Sequence, residues 1–173
     1  MKDNRSKTAV AVVALIVSFL ISALGAFAEE IFNANDLQPA QITAATKFDG
    51  FTIYANGDKA VTIEAIDVAR TAADQEVFNV RIKLNGGGAL DYRSIQFTAK
   101  GPGELTVYLN SSSKTDTRVL KVVDAAGTVL AELAAPPDVG GVAGMATFTI
   151  PKEGEYAVFS AGSGINIYQL VVR

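Results

Sequence analysis

The sequence predicts an all-β fold, a two-sheet β-sandwich of jelly-roll type, and three observations predict it. Apolar and polar residues alternate with period two from Phe78 to Val123, the pattern of strands buried on one face. Short runs of the same kind recur between Gly, Pro, Asn and Asp punctuation. After residue 28 no stretch carries a helical period of convincing length.

The chain opens with Lys2, Arg5 and Lys7, then an apolar run from Thr8 to Leu24 that closes on Ala26-Phe27-Ala28. This reads as a secretory leader over residues 1–28 with a small-x-small cleavage signal. The competing reading is an uncleaved membrane anchor, because the run comes near a minimal span. Cleavage takes 28 of the 173 residues and leaves 145, one domain at 29–173 able to bury its own core. The balance moves from 15 basic and 18 acidic side chains to 12 and 17, because Lys2, Arg5, Lys7 and Asp3 are lost. That acidic surplus argues against nucleic acid as a partner. There is no Cys, so an exported domain would rely on packing and not on disulfides. Export without disulfides points to a bacterial extracellular or cell-surface protein, free of the membrane once the leader is cut.

Ten runs read as strands: Phe51–Ala55, Lys59–Ile66, Phe78–Leu84, Tyr92–Ala99, Leu105–Asn110, Arg118–Val123, Thr128–Leu133, Met145–Ile150, Glu155–Ser160 and Ile165–Val172. Asn56-Gly57-Asp58 and Lys100-Gly101-Pro102-Gly103-Glu104 have hairpin chemistry. Asn85-Gly86-Gly87-Gly88 is a loop and not a phosphate cradle, since no helix pattern follows it. Ala134 to Gly144 reads as a surface loop over a sheet edge.

In the run Phe78 to Leu84, four apolar side chains should face one way and Asn79, Arg81 and Lys83 the other. Arg81 and Lys83 then stand roughly 7 Å apart on one face. An Arg offers a carboxylate a planar bidentate fork and a Lys offers a point charge, so the pair can hold an anionic ligand. The same pair can equally be a solvated face matched by acids on neighbouring strands. Arg93 and Arg118 share parity with apolar neighbours and can tie down loops as readily as touch a ligand. Lys100 and Lys114 lie in turns, where Lys is most often bland.

Sugar rings are usually gripped by stacking on aromatic faces. The chain has no Trp. Tyr108 alternates against Leu105, Val107 and Leu109, which makes it a candidate exposed ring, and Tyr92 borders the glycine loop. Phe48, Phe51, Phe78, Phe97, Phe148 and Phe159 are assigned to the core, with Tyr54, Tyr156 and Tyr168 at core or edge.

Seven motifs follow one another in a recognisable order. They are Phe48-Asp49-Gly50-Phe51-Thr52-Ile53, Arg81-Ile82-Lys83-Leu84-Asn85-Gly86-Gly87-Gly88, Arg93-Ser94-Ile95-Gln96-Phe97, Leu105-Thr106-Val107-Tyr108, Ser111-Ser112-Ser113, Arg118-Val119-Leu120 and Ala161-Gly162-Ser163-Gly164-Ile165-Asn166-Ile167-Tyr168. Together they resemble the non-catalytic β-sandwich module appended to bacterial pectate lyases, a pectin-binding type of carbohydrate-binding module, from Ile31 to Arg173. The resemblance implies a β-sandwich that holds homogalacturonan through basic side chains without cleaving it. The matching positions are Lys83, Arg93, Lys100 and Arg118. Members of that family usually sit beside a lyase domain; here the module is expected to stand alone behind its leader and to work alongside separate polysaccharide-degrading enzymes.

Catalysis is not expected. Without His or Cys, Ser-His-Asp and Cys-His machinery and the usual zinc sites have no members. The acids Glu64, Glu76, Asp91, Glu104 and Asp116 show no pairing of the glycosidase kind. No cofactor is required. For a structural calcium, Asn33-Ala34-Asn35-Asp36 and Asp138 offer oxygen ligands, although neither matches an EF-hand loop. The expected function is binding of uronate-rich plant polysaccharide through Arg81, Lys83, Arg93, Lys100, Tyr108 and Arg118. The rival is a cell-surface structural or protein-interaction sandwich with no sugar site.

Overall fold

Period-two alternation is realised as strands in the computed structural model, which describes residues 28–173; the expected leader lies, but for Ala28, outside the described residues. Thirteen strands follow in order: β1 (Glu30–Asn33), β2 (Ala40–Ile42), β3 (Thr46–Phe48), β4 (Phe51–Tyr54), β5 (Val61–Thr71), β6 (Val77–Leu84), β7 (Ser94–Ala99), β8 (Gly103–Ser111), β9 (Arg118–Asp124), β10 (Val129–Ala135), β11 (Gly144–Ile150), β12 (Gly154–Ser160) and β13 (Ile165–Val172). They form two antiparallel sheets. One has seven strands in the order β11-β8-β13-β6-β5-β2, with β1 also on β13; the other has six, β10-β9-β12-β7-β4-β3.

The ten expected strands are all present, and the architecture is the expected all-β sandwich. The three additional strands all precede Phe51. They are three or four residues long. The sole helical element among the described residues is a 3-10 turn at Ala34–Asp36.

The two expected hairpins are corrected. The turn at Asn56-Gly57-Asp58 forms, with Gly57 at φ 54°, but β4 and β5 belong to different sheets. The same holds for β7 and β8 across Lys100–Glu104. Turn chemistry reverses the chain locally without choosing its partner. Because both sheets turn their apolar side toward one shared core, alternation reads the same on either side of a crossover.

That core is the space between the sheets, filled by Phe51, Ile53, Ile82, Leu84, Ile95, Phe97, Leu105, Val107, Leu109, Val158, Ile165 and Ile167 among others. Phe78 is buried, as expected of a core residue, but not in this inner core. It packs in a second, smaller cluster with Tyr108, Tyr168, Val171, Ala72 and Ala143, its ring centroid 5.3 Å from Tyr108 and 5.4 Å from Tyr168. The β5–β6 register shifts between Ala65 and Arg70, with the extra residues on β5, and β6 pairs with β13 only from Ile82 to Leu84, which leaves the Phe78 end outside that pairing. Phe159 is corrected: it lies outside both clusters and is half-buried.

The second cluster lies on the outer side of the seven-stranded sheet. Leu105, Val107 and Leu109 fill the inner core, which turns Thr106, Tyr108 and Asn110 outward. The connection from Pro136 to Ala143 crosses this outer face instead of running along an edge: Asn110 Nδ2 donates to the carbonyls of Pro136 and Pro137, at 3.4 and 3.2 Å.

Candidate functional site

On β6, Arg81 and Lys83 project from the same face, as alternation requires. Their register partners on β5 are Glu64 and Thr62. Arg81 donates through Nε to Glu64 Oε1 at 2.8 Å, with Nη2 at 2.6 Å from the same oxygen. Lys83 Nζ lies 3.7 Å from that oxygen. Two cations thus share one carboxylate.

Next to them, Arg70 grips Asp138 in a bidentate pair, Nε to Oδ1 at 2.7 Å and Nη2 to Oδ2 at 3.0 Å. Asp138 Oδ2 is also 4.0 Å from Arg81 Nη1 and accepts from Asn166 Nδ2 at 3.3 Å. The bond to Asp138 holds the Arg70 guanidinium above its ordinary pKa despite partial burial. Arg70, Arg81, Ser112, Lys114, Asp138 and Val139 line an open groove of about 440 Å³. Arg70 and Asp138 were not expected site residues as a pair. They are 68 residues apart, and no local signal joins them.

The other expected site residues are scattered. Strand registers place the starts of β7 and β9 on either side of the end of β12, so Arg93 and Arg118 share one end of the sandwich. There both serve the loops. Arg93, at φ 48°, leans on Gly86 and reaches the Asp58 carbonyl at 3.4 Å. Arg118 Nη1 donates to Ser112 Oγ at 2.6 Å and the Gly164 carbonyl at 2.5 Å. The neighbouring Tyr92 ring is covered by Lys59 Nζ, 4.0 Å from its centroid. Lys100 is at the opposite end, paired with Glu30 at 2.7 Å.

Tyr108 is corrected outright. It faces away from the inner core as expected, yet it is 6 % exposed, and its hydroxyl donates to Asp74 Oδ2 at 2.5 Å. Burial first, and the Asp74 bond second, push this phenol up to about 12. It cannot stack on a sugar.

Most of the side-chain oxygens offered for calcium are already engaged within the protein. Asn33 Oδ1 accepts from the Asn35 amide at 2.9 Å. Asn35 Oδ1 accepts from the amides of Asn79 and Val80, at 2.8 and 3.2 Å, filling in for a strand beside β6. Asp138 is committed to Arg70. Among the described residues no three His, Cys, Asp or Glu side chains gather.

The fold and this outer-face groove define a two-sheet β-sandwich whose candidate site is built of paired cations, amides and a covering loop. No family model matches the chain, and no curated protein matches its sequence. Among solved structures the chain is similar to one from work on glycan recognition in the Ruminococcus flavefaciens cellulosome, with a TM-score of 0.51 at 15 % identity, covering 84 % of this chain and 93 % of that one. A family 35 carbohydrate-binding module from Clostridium thermocellum aligns with a TM-score of 0.48 at 11 % identity over 84 % of this chain and 98 % of that one. The likeness to the first agrees with the β-sandwich fold.

Proposed function

We propose that the protein is an exported, non-catalytic binding module for uronate-rich polysaccharide such as homogalacturonan or low-ester pectin. The observation that carries this reading is the 440 Å³ groove walled by Arg70, Arg81 and Lys114, with Lys83 beside it on the same Glu64 oxygen. A galacturonan presents one carboxylate per sugar, so a binder needs several cations along one track. Here four basic side chains face Glu64, Asp67 and Asp138, which leaves positive charge for a ligand. Support for a glycan as the ligand class comes from the sandwich shared with the Ruminococcus flavefaciens structure, which was described in the context of glycan recognition.

Affinity electrophoresis through gels containing polygalacturonate, xylan or a soluble cellulose tests the reading. Polygalacturonate alone should retard the protein. The retardation should shrink as salt rises, because exposed charge contacts are screened over about 8 Å at 0.15 M. A folded Lys83→Ala/Lys114→Ala variant should be retarded less than the parent, each measured against its own mobility in a ligand-free gel. Equal retardation by neutral glucans, or an unchanged variant, overturns the proposal.

A further inference from the structure

The outer face of the seven-stranded sheet carries a row of side chains beneath the Pro136–Ala143 connection. Asn166 is the register partner of Lys83 on one side and of Asn110 on the other. Both asparagines are buried, at 0 and 2 % exposure. Their amide orientations follow from their partners. Asn110 Nδ2 faces the Pro136 and Pro137 carbonyls and Asn166 Nδ2 faces a carboxylate oxygen, and only an NH2 group can donate to these. Each Oδ1 therefore points elsewhere, and among the described residues neither has a hydrogen-bond partner. Gln169 Oε1 is likewise buried without a partner, but farther along β13 beside Tyr108. Two unpaired acceptors on register partners are unusual in an interior where polar groups are normally matched.

Asp138 belongs to this patch by geometry but not by origin. Arg70, Arg81 and Asn166 all project from strands, whereas Asp138 arrives on the connection between β10 and β11. It is followed there by Gly140 and Gly141 at φ 83° and 74°, with open space where their Cβ atoms would be. The strands supply a receptor for a carboxylate, and a loop supplies the carboxylate.

We propose that this patch is a uronate subsite closed by an internal mimic, with the Asp138 carboxylate standing where a ligand's carboxylate would sit on Arg70 and Arg81. The Asn110 and Asn166 oxygens are then acceptors for hydroxyls of the same sugar ring. A uronic acid carries both features; a neutral sugar has the hydroxyls but cannot displace Asp138. The proposal rests on the uronate reading of the groove. Ligand entry requires the loop to release its bonds from Asp138 N to the Ser113 carbonyl at 2.8 Å and from Ala143 N to the Thr71 carbonyl at 3.0 Å. The apparent affinity is lowered in proportion to the closed fraction.

Asp138→Asn removes the internal carboxylate while keeping its shape. Calorimetry with galacturonic acid should show binding tighter by about tenfold or more than in the parent, and galacturonic acid should raise the variant's melting temperature. Galactose should do neither. A purely structural ion pair gives the opposite result, a folded variant with no gain for galacturonic acid, and that overturns the proposal. If the variant does not fold, the parent decides. Galacturonic acid at its solubility limit should accelerate hydrogen exchange at the Asp138 and Ala143 amides and leave the β13 amides unchanged, and unaltered exchange counts against the site. Gain in the variant without retardation of the parent by polygalacturonate would remove the polysaccharide reading and keep this subsite; the reverse would remove the subsite alone.

Discussion

Arg81 and Lys83, two residues apart on β6, converge on a single oxygen, Glu64 Oε1, at 2.6 and 3.7 Å. The oxygen is shared unequally, and Lys83, one-third exposed, is the cation more easily drawn to an external anion. Glu64→Gln should therefore increase retardation by polygalacturonate. Its effect on stability should stay under about 1 kcal/mol, because partly exposed pairs contribute little. Reduced retardation in a folded Glu64→Gln variant would mean that Glu64 organises the basic pair instead of competing for it.

Adjacent positions on β6 should separate fold from site. Ile82 is fully buried in the inner core, so Ile82→Ala should cost roughly 2–5 kcal/mol. Lys83→Ala should change stability by less than about 0.5 kcal/mol. Urea unfolding of both variants would expose an inverted strand register as an inverted order of effects.

Gly88 lies where the β6–β7 connection presses on the six-stranded sheet. A Cβ there would stand 2.5 Å from the Arg93 carbonyl oxygen and 2.8 Å from Phe159 Cβ. Neither neighbour is the free end of a flexible side chain. Gly88→Ala should therefore destabilise by about 1–3 kcal/mol through overpacking. A thermal melt matching the parent would show that the connection can move aside.

Alkaline titration reports the covered outer face. Tyr108 and Tyr168 are both pushed up to about 12, chiefly by burial, from the ordinary value near 10. For Tyr168 the Asp138 charge adds to the rise, and Arg70 and Arg81 oppose it. The folded state thus holds these protons more tightly than the unfolded chain. The stability they contribute is whole below pH 10 and declines between 10 and 12. Phenolate absorbance should show two tyrosines titrating late in the folded protein. In Tyr108→Phe/Tyr168→Phe those late steps should be gone.

Asp74 works in the other direction. The Tyr108 hydroxyl holds its carboxyl below the ordinary carboxylate value, so this contribution is present above that value and fades as pH falls through the lowered one. Acid titration followed by the chemical shift of Asp74 should show a depressed midpoint that returns to normal in Tyr108→Phe.

Much of the fold was legible in the residues themselves. Alternation marked ten of the thirteen strands, because a strand buried on one side must repeat every two residues. It also turned Tyr108 away from Leu105, Val107 and Leu109, and it set Arg81 and Lys83 on a common face. The possibility that these cations are matched by an acid on a neighbouring strand was open from the start, and Glu64 is that acid. Arg93 and Arg118 likewise had a loop-tying role available to them, and their hydrogen bonds go to loops.

The tertiary structure alone decided what covers each face and which distant residues meet. Alternation says which way a side chain points and nothing about what lies over it. Tyr108 points outward and is still buried, because the arm after β5 and the Pro136–Ala143 connection close over that side of the sheet. Strand partners, too, were outside the reach of local pattern. β1 pairs with β13 at the far end of the chain, and Asp138 meets Arg70 across 68 residues. Contacts of that separation leave no period in the sequence, since they are selected by the packing of the whole sandwich and not by the geometry of any single strand.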